Sequence, residues 1–256
     1  LKFKVTAIGT LVVGTVFILW SWYHSTPWEW LLVILLLFVL ILAYGSFSIG
    51  FNFYLSSLNG KNTTEKLVAL TFDDGPDSAG TESILEVLQK HQAPSSFFVI
   101  GSQVLKNRAL LQKIHEQGHL IGNHTQNHSN LFGTMGVARV QKEIENCNQA
   151  IFDAIAKKPR LFRPPFGVTN PNIARAIKNM GMECIGWNVR SLDTVVSLNE
   201  KLVKNLMVKV QPGAVVLLHD RLKGNAAVVE ALVIELKNKG YRFVRIDEMF
   251  DVKAYE

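Results

Sequence analysis

From residue 67 to residue 244 the chain alternates short apolar runs with amphipathic stretches, and polar clusters keep appearing just behind those runs. This alternation constrains the fold more than any single motif does. Apolar runs too short for a helix and bounded by turn residues read as buried strands; strands separated by amphipathic helices read as βα units of a parallel sheet. Strands are expected at 67–71, 95–100, 120–123, 161–163, 184–188, 214–218 and 242–244. Helices are expected at 81–91, through Leu105, Leu110, Leu111 and Ile114 to Gly118, and at 137–156, 170–180, 198–208 and 226–239. The predicted fold is α/β, a distorted, incomplete (β/α) barrel of about seven parallel strands. The C-terminal strand ends of such a barrel share one rim, where loops from distant parts of the chain meet. Asp73-Asp74, His124 to His128, Arg163 to Gly167, Asp193 and His219-Asp220 all fall at that rim.

Each cluster has its own chemistry. In L-V-A-L-T-F-D-D-G-P-D at 67–77, strand formers lead into two carboxylates, and Gly75-Pro76 turn the chain. On an extended backbone Asp73 and Asp74 point to opposite sides. Adjacent like charges are costly without a cation or donor beside one of them, although a solvated turn would also explain the pair. His124 and His128 are four residues apart; on a helical turn that spacing puts both imidazoles on one face, able to chelate one ion, and two unrelated histidines fit it equally. With Asp73 or Asp74 the set becomes two histidines and a carboxylate, three protein ligands that leave open positions for water and substrate. Such an ion polarises a carbonyl and acidifies bound water; the second Asp is free to take a proton and a distant His to supply one. Taken singly, Arg163 reads as a loop cation, Asp193 as a helix N-cap, Asp220 as a structural residue and His219 as a buried histidine. Trp187 and Phe166 read as core as readily as a sugar platform.

The first fifty-five residues carry the excess of apolar character. Segments 3–22 and 28–49 are each long enough to cross a hydrocarbon core, and Trp20, Trp22, Tyr23, Trp28 and Trp30 cluster between them as an interfacial belt would. No small-residue cleavage site follows the first segment, which argues against a signal peptide. The expected organisation is a two-helix transmembrane hairpin over 1–55, a linker over 56–66 and a catalytic domain over 67–256. Lys2, Lys4, Lys61 and Lys66 flank the hairpin while the connector 21–29 has no Lys or Arg, so the positive-inside rule puts the large domain in the cytoplasm. The net charge of +6 suits a membrane surface or lipid phosphate. The cations form no basic run with interleaved aromatics, which excludes a nucleic-acid partner. Cys147 and Cys184 form neither a metal spacing nor a disulfide framework.

Taken together, the clusters resemble the motifs of the polysaccharide deacetylases of the NodB-homology type, carbohydrate esterase family four, across nearly all of 67–244 and in that family's order. T-F-D-D-G-P at 71–76 is similar to the first motif, which implies Asp73 as general base and Asp74 as metal ligand. H-T-Q-N-H at 124–128 resembles the second, implying His124 and His128 as the other ligands. R-P-P-F-G at 163–167 resembles the third: Arg163 would hold Asp73 ionised, Pro165 and Phe166 would line the groove, and the Phe166 N–H would help bind an oxyanion. L-L-H-D at 217–220 implies His219 as general acid with Leu217 against the acyl methyl. W-N-V-R-S-L-D-T at 187–194 corresponds to the fourth, with Trp187 at the substrate and Asp193 supporting the catalytic His. Arg190 stands where that motif has an Asp, and Thr194 where a Trp often follows; both departures bear on substrate contacts.

The resemblance implies one divalent metal ion, zinc first, with cobalt, nickel or manganese as alternatives. It also implies hydrolysis of the acetamide of an N-acetylated amino sugar in a cell-envelope glycan, peptidoglycan or a chitin-like polysaccharide. The charge pattern keeps a second substrate open, an amino sugar on a polyprenyl phosphate at the cytoplasmic leaflet. A membrane-anchored glycan-binding pseudoenzyme is the third possibility, opposed by the intact Asp73, Asp74, His124, His128 and His219. The oligomeric state is open.

Overall fold

Two apolar helices lead the chain, α1 (Lys2–His24) and α2 (Glu29–Phe47). The computed structural model describes residues 2–256; Leu1, the first residue of the expected hairpin, lies outside them. At 23 and 19 residues both helices are long and apolar enough to span a membrane. The helices pack against each other, and Gly45 is their one buried position among the described residues. A helix that shows apolar side chains on nearly every face is unlike the half-buried helix of a soluble core.

The hairpin ends inside the rest of the fold. Beyond α2, residues Ile49–Phe51 make a 3₁₀ turn, and Ile49 is buried in a cluster with Phe132, Phe162 and Ile173. Phe53 is 2% exposed and packs against the rings of Phe3 and Phe51. It also lies so close to Gly45 that a Cβ there would come within 2.3 Å of its ring. The Thr169 N–H donates to the Ser46 carbonyl at 2.9 Å, and the Lys2 ammonium donates to the Phe51 carbonyl at 2.8 Å.

The strands that follow are parallel. They are β1 (Leu67–Asp73), β2 (Ser96–Val99), β3 (Leu120–Asn123), β4 (Leu161–Phe162), β5 (Glu183–Cys184), β6 (Val189–Arg190), β7 (Ala214–His219) and β8 (Arg242–Phe243). Their spatial order is β5-β4-β3-β2-β1-β7-β6, and β8 pairs the start of β1 at Leu67 and Val68. The result is a curled, incomplete barrel, as the alternating pattern predicts. All seven residues of β1 are buried, the mark of a parallel strand covered on both faces. The period of two sorts them. Val68, Leu70 and Phe72 face an outer cluster built from α3 (Thr81–Lys90), α6 (Val137–Ile155) and α9 (Asn225–Asn238). Leu67 and Ala69 face the barrel interior with Phe98, Leu161 and Val215. Thr71 and Asp73 continue that inward series, which carries Asp73 to the upper rim.

Three elements differ from expectation. The helix running to Gly118 is broken at Asn107 into α4 (Gly101–Lys106) and α5 (Arg108–Glu116); the Asn107 amide donates to the Pro76 carbonyl at 2.9 Å, tying the break to the loop behind β1. Of the strand expected at 184–188 only Cys184 lies in one: β5 pairs β4 before the stretch and β6 pairs β7 after it. Residues 185–188 cross the barrel's open seam, and the incoming chain fills it: Leu58 bridges Ile185 and Gly60 bridges Ala214. α10 (Ile246–Phe250) carried no expectation; the ends of α7 (Pro171–Asn179) and α8 (Glu200–Lys209) differ from the expected ones by no more than two residues.

Truncating a buried aromatic costs about 3–5 kcal/mol through lost burial and the cavity left behind. Phe53→Ala is expected to lower stability by that order, measured as a fall in the thermal or denaturant midpoint of the full chain in detergent.

Candidate active site

A fully buried guanidinium anchors the rim. Arg163 follows β4 and has no exposed surface, so it is not the loop cation that its position beside two prolines suggests. Its Nη1 donates to Asp73 Oδ1 at 2.7 Å and to Thr71 Oγ1 at 2.9 Å. Nη2 donates to the Gly186 carbonyl at 2.9 Å and Nε to that of Ile185 at 3.3 Å. The Phe98 ring lies 4.1 Å beneath its central carbon. A buried charge is tolerable only when paired and hydrogen-bonded in this way.

Asp74 departs from the extended backbone expected of it. Its φ of 79° turns the chain at the strand end, and both carboxylates face one imidazole: His124 Nε2 is 3.7 Å from Asp73 Oδ2 and 3.6 Å from Asp74 Oδ1. Behind them, Gly75 passes so close to Asp220 that a Cβ would sit 2.0 Å from its carboxylate. Asp220 accepts from the Thr81 hydroxyl at 2.6 Å, and burial, with Asp74 and Asp73 adding to it against the Thr81 bond, pushes its carboxyl up to about 7.

The two histidines do not share a helical turn. Residues 124–128 form an irregular loop after β3, with Thr125 at φ 70° and His128 at φ 47°. The loop nevertheless brings the imidazoles together, ring centroids 4.8 Å apart. His124 Nδ1 donates to the Arg163 carbonyl at 2.7 Å, which fixes the tautomer and leaves the Nε2 lone pair facing the carboxylates. Burial, then the neighbouring His124, pulls His128 down to about 4, so its imidazole is neutral near pH 7.

These groups fit a metal ion. One donor atom each from Asp74, His124 and His128 lies within 4.8 Å of the others, and Asp74 Oδ1 is 3.5 Å from His128 Nε2. Ligands about 2.1 Å from a tetrahedral ion stand about 3.4 Å apart. Asp74 Oδ1 is also buried with no hydrogen-bond partner among the described residues, an orphan that a cation would satisfy. Asp73 is the poorer ligand, since its Oδ1 is engaged by Arg163.

His219 completes the rim from β7. Its Nδ1 bonds Asp193 Oδ1 at 2.7 Å, its backbone N–H donates to Asp193 Oδ2 at 2.9 Å, and Asn225 clamps the pair from below. Asp193 is therefore not the helix cap that its position also allowed; Asn199 caps α8. A cleft of about 470 Å³ brings Asp73, Asp74, His124, His128 and His219 together with Phe166, Trp187 and Leu217. Phe166 is half-exposed, packs on His128 at 4.6 Å, and has a φ of 59°. Pro165 is buried rather than on the cleft wall. Sequence reasoning did not single out Thr71, Asn225 or Arg221, whose Nε donates to Asp74 Oδ2 at 2.8 Å. The alternation along β1 would have found Thr71; Asn225 and Arg221 carry no local signal.

The polysaccharide deacetylase family model matches residues 60–185. A peptidoglycan-N-acetylglucosamine deacetylase of Listeria monocytogenes is 36% identical over 193 residues, which cover 75% of this chain and 41% of that protein. The chain thus spans about two fifths of that relative's length. A peptidoglycan-N-acetylmuramic acid deacetylase of Bacillus subtilis is 33% identical, with 73% of each chain covered. The crystal structure of the Bc1960 peptidoglycan N-acetylglucosamine deacetylase, in complex with an N-hydroxybenzamide, superposes with a TM-score of 0.73 at 29% identity, over 78% of this chain and 94% of that one.

The His219–Asp193 pair has a pH signature. Burial pulls the His219 imidazole down, but the hydrogen bond and charge of Asp193, with Asp73 and Asp74 behind them, raise it above the ordinary value. Its stabilising contribution is complete below about pH 6.5, the value of a free imidazole, and is lost as pH rises through the raised one. Asp193→Asn is expected to move the His219 titration, followed by NMR of the imidazole protons, to lower pH, and the alkaline loss of stability with it.

Proposed function

The chain belongs to the polysaccharide deacetylase family, and we propose that it is a membrane-anchored, metal-dependent hydrolase that removes the acetyl group from N-acetylated amino sugars of peptidoglycan. What supports this reading is the meeting, in one cleft, of a three-ligand cluster, a carboxylate held by a buried arginine and a carboxylate-backed histidine.

Asp74, His124 and His128 would hold one divalent cation, and two imidazoles with one carboxylate are a donor set that suits zinc. When bound, such an ion polarises the acetamide carbonyl and lowers the pKa of water. Asp73 is the general base: Arg163 engages Oδ1, and Oδ2, on the side of His124, is free to take the proton of the attacking water. The water oxygen bonds to the carbonyl carbon, and the Phe166 N–H donates to the oxygen on which negative charge gathers, a contribution of about 3 kcal/mol for a well-aimed donor. His219 has its Nδ1 committed to Asp193, so Nε2 delivers the proton to the sugar nitrogen as the C–N bond breaks. Acetate and a free amine leave. Trp187 and Phe166 offer flat apolar surface to the sugar, and Leu217 to the acetyl methyl.

A second reading follows from charge. Lysines flank the hairpin and its connector has none, which favours a cytoplasmic domain acting on a polyprenyl-phosphate-linked amino sugar. Reporter fusions at Glu256 distinguish the two, since the peptidoglycan reading needs that end outside.

Removing the ion with a chelator is expected to abolish acetate release from N-acetylated glycan strands, with recovery on adding back zinc. Asp73→Asn is expected to lower kcat/KM by about 10²–10⁴ while the ion stays bound. His124→Ala is expected to take the ion-to-chain ratio from near one to near zero in elemental analysis. Asp73→Asn with near-normal turnover would remove the base assignment.

A further inference from the structure

The one residue of the fourth motif that changes the sign of its charge occupies a junction between two cavities. Arg190 ends β6, level with Leu217 on β7, and its side chain is exposed. It lines the catalytic cleft together with Asp73 and His219. It also lines an adjoining groove of about 360 Å³ between the 191–199 loop and α8. Lys201 and Lys209 are the other charged residues of that groove, and among the described residues no Asp or Glu lines it. Arg190 makes no hydrogen bond or ion pair with an acidic group among the described residues, unlike Arg163, Arg221, Arg242 and Arg245. Thr194 lies on the cleft wall, with Val195 and Val196 exposed beside it. Val196 shares the groove wall with Arg190.

An exposed cation on a surface usually meets only water. Here Arg190 borders the cleft and shares with Lys201 and Lys209 a concave groove that no Asp or Glu lines among the described residues, where the low dielectric of a hollow strengthens their field. A guanidinium prefers a planar anion that it can grip with two parallel N–H donors, and a carboxylate on a sugar is such a group.

We propose that Arg190 is a specificity-determining residue that receives a carboxylate carried by the glycan beside the acetamide being cut, with Lys201 and Lys209 drawing the next acidic group of the chain into the groove. The inference rests on the deacetylase reading above and narrows its substrate to an acidic glycan, one whose amino sugars carry a carboxylate-bearing ether or an acidic peptide. A neutral chitin-like chain fills the cleft and leaves the groove empty.

The test compares two N-acetylated oligosaccharides of equal length, one neutral and one bearing carboxylates on alternate sugars, on the full chain in detergent. Binding is measured by calorimetry and acetate release by kcat and KM. The wild-type chain is expected to favour the acidic oligosaccharide about tenfold in Kd and in kcat/KM, the scale of one hydrogen-bonded charge pair. Arg190→Gln is expected to erase most of that preference through Kd and KM, and Arg190→Lys to keep part of it. An unchanged preference in Arg190→Gln overturns the proposal, as does an equal loss on both oligosaccharides. A glycosyl diphosphate that binds more tightly than the carboxylated chain overturns the carboxylate assignment. If the wild-type chain releases acetate from neither oligosaccharide, the deacetylase reading falls, and the binding comparison still decides Arg190.

Discussion

Burying a guanidinium away from bulk solvent obliges its surroundings to supply its partners, and that demand organises the upper rim of this barrel. Arg163 draws on a carboxylate and a hydroxyl from β1, on two carbonyls from the seam between β5 and β6, and on the face of Phe98 from β2. Its own carbonyl takes the Nδ1 proton of His124. One residue thus fixes the carboxylate proposed as base and the tautomer of a proposed ligand, and it can do so only if strands far apart in sequence have closed around it. Losing either partner of such a buried pair costs more than the pair itself contributes, because the survivor is left charged in a dry interior.

The carboxylates and imidazoles around that anchor are sorted by what already holds them. Asp73 Oδ1 is taken by Arg163, whereas Asp74 Oδ1 has no partner among the described residues. His124 and His128 each turn an Nε2 toward it. Across the cleft, His219 has its Nδ1 bound to Asp193, which leaves Nε2 for a substrate. Adjacent groups of the same type are therefore left with different free atoms by their neighbours, an arrangement that suits the acid and base roles proposed above.

Much of the architecture was legible in the sequence because it follows from pattern. Alternation of strand and helix gave the parallel, unclosed barrel, and the position of the polar clusters behind strands put them at one rim. What the pattern could not carry was local backbone geometry. The positive φ of Asp74, which swings it toward His124, is invisible in a pair of aspartates. The imidazoles meet through an irregular loop rather than a helical turn, since Thr125 and His128 are both left-handed. Residues 184–188 read as one apolar strand, yet 185–188 cross an open seam, which the segment from residues 58–60 fills. Asn225 was missed for the same reason: its role depends on where α9 begins beneath Asp193, a tertiary fact.

The base of the two-helix hairpin makes the leading segment something other than a detachable leash. Ile49 belongs to the same cluster as Phe162, and Thr169, three residues beyond Phe166 of the cleft, is bonded to the last turn of α2. Three residues of extended chain reach about 11 Å at most. The cleft therefore stands at a fixed, short height above the end of the hairpin and cannot be cast outward on a flexible line. Grafting this barrel onto a foreign leading segment would require residues 45–53 to travel with it, and the reach of the cleft would travel with them.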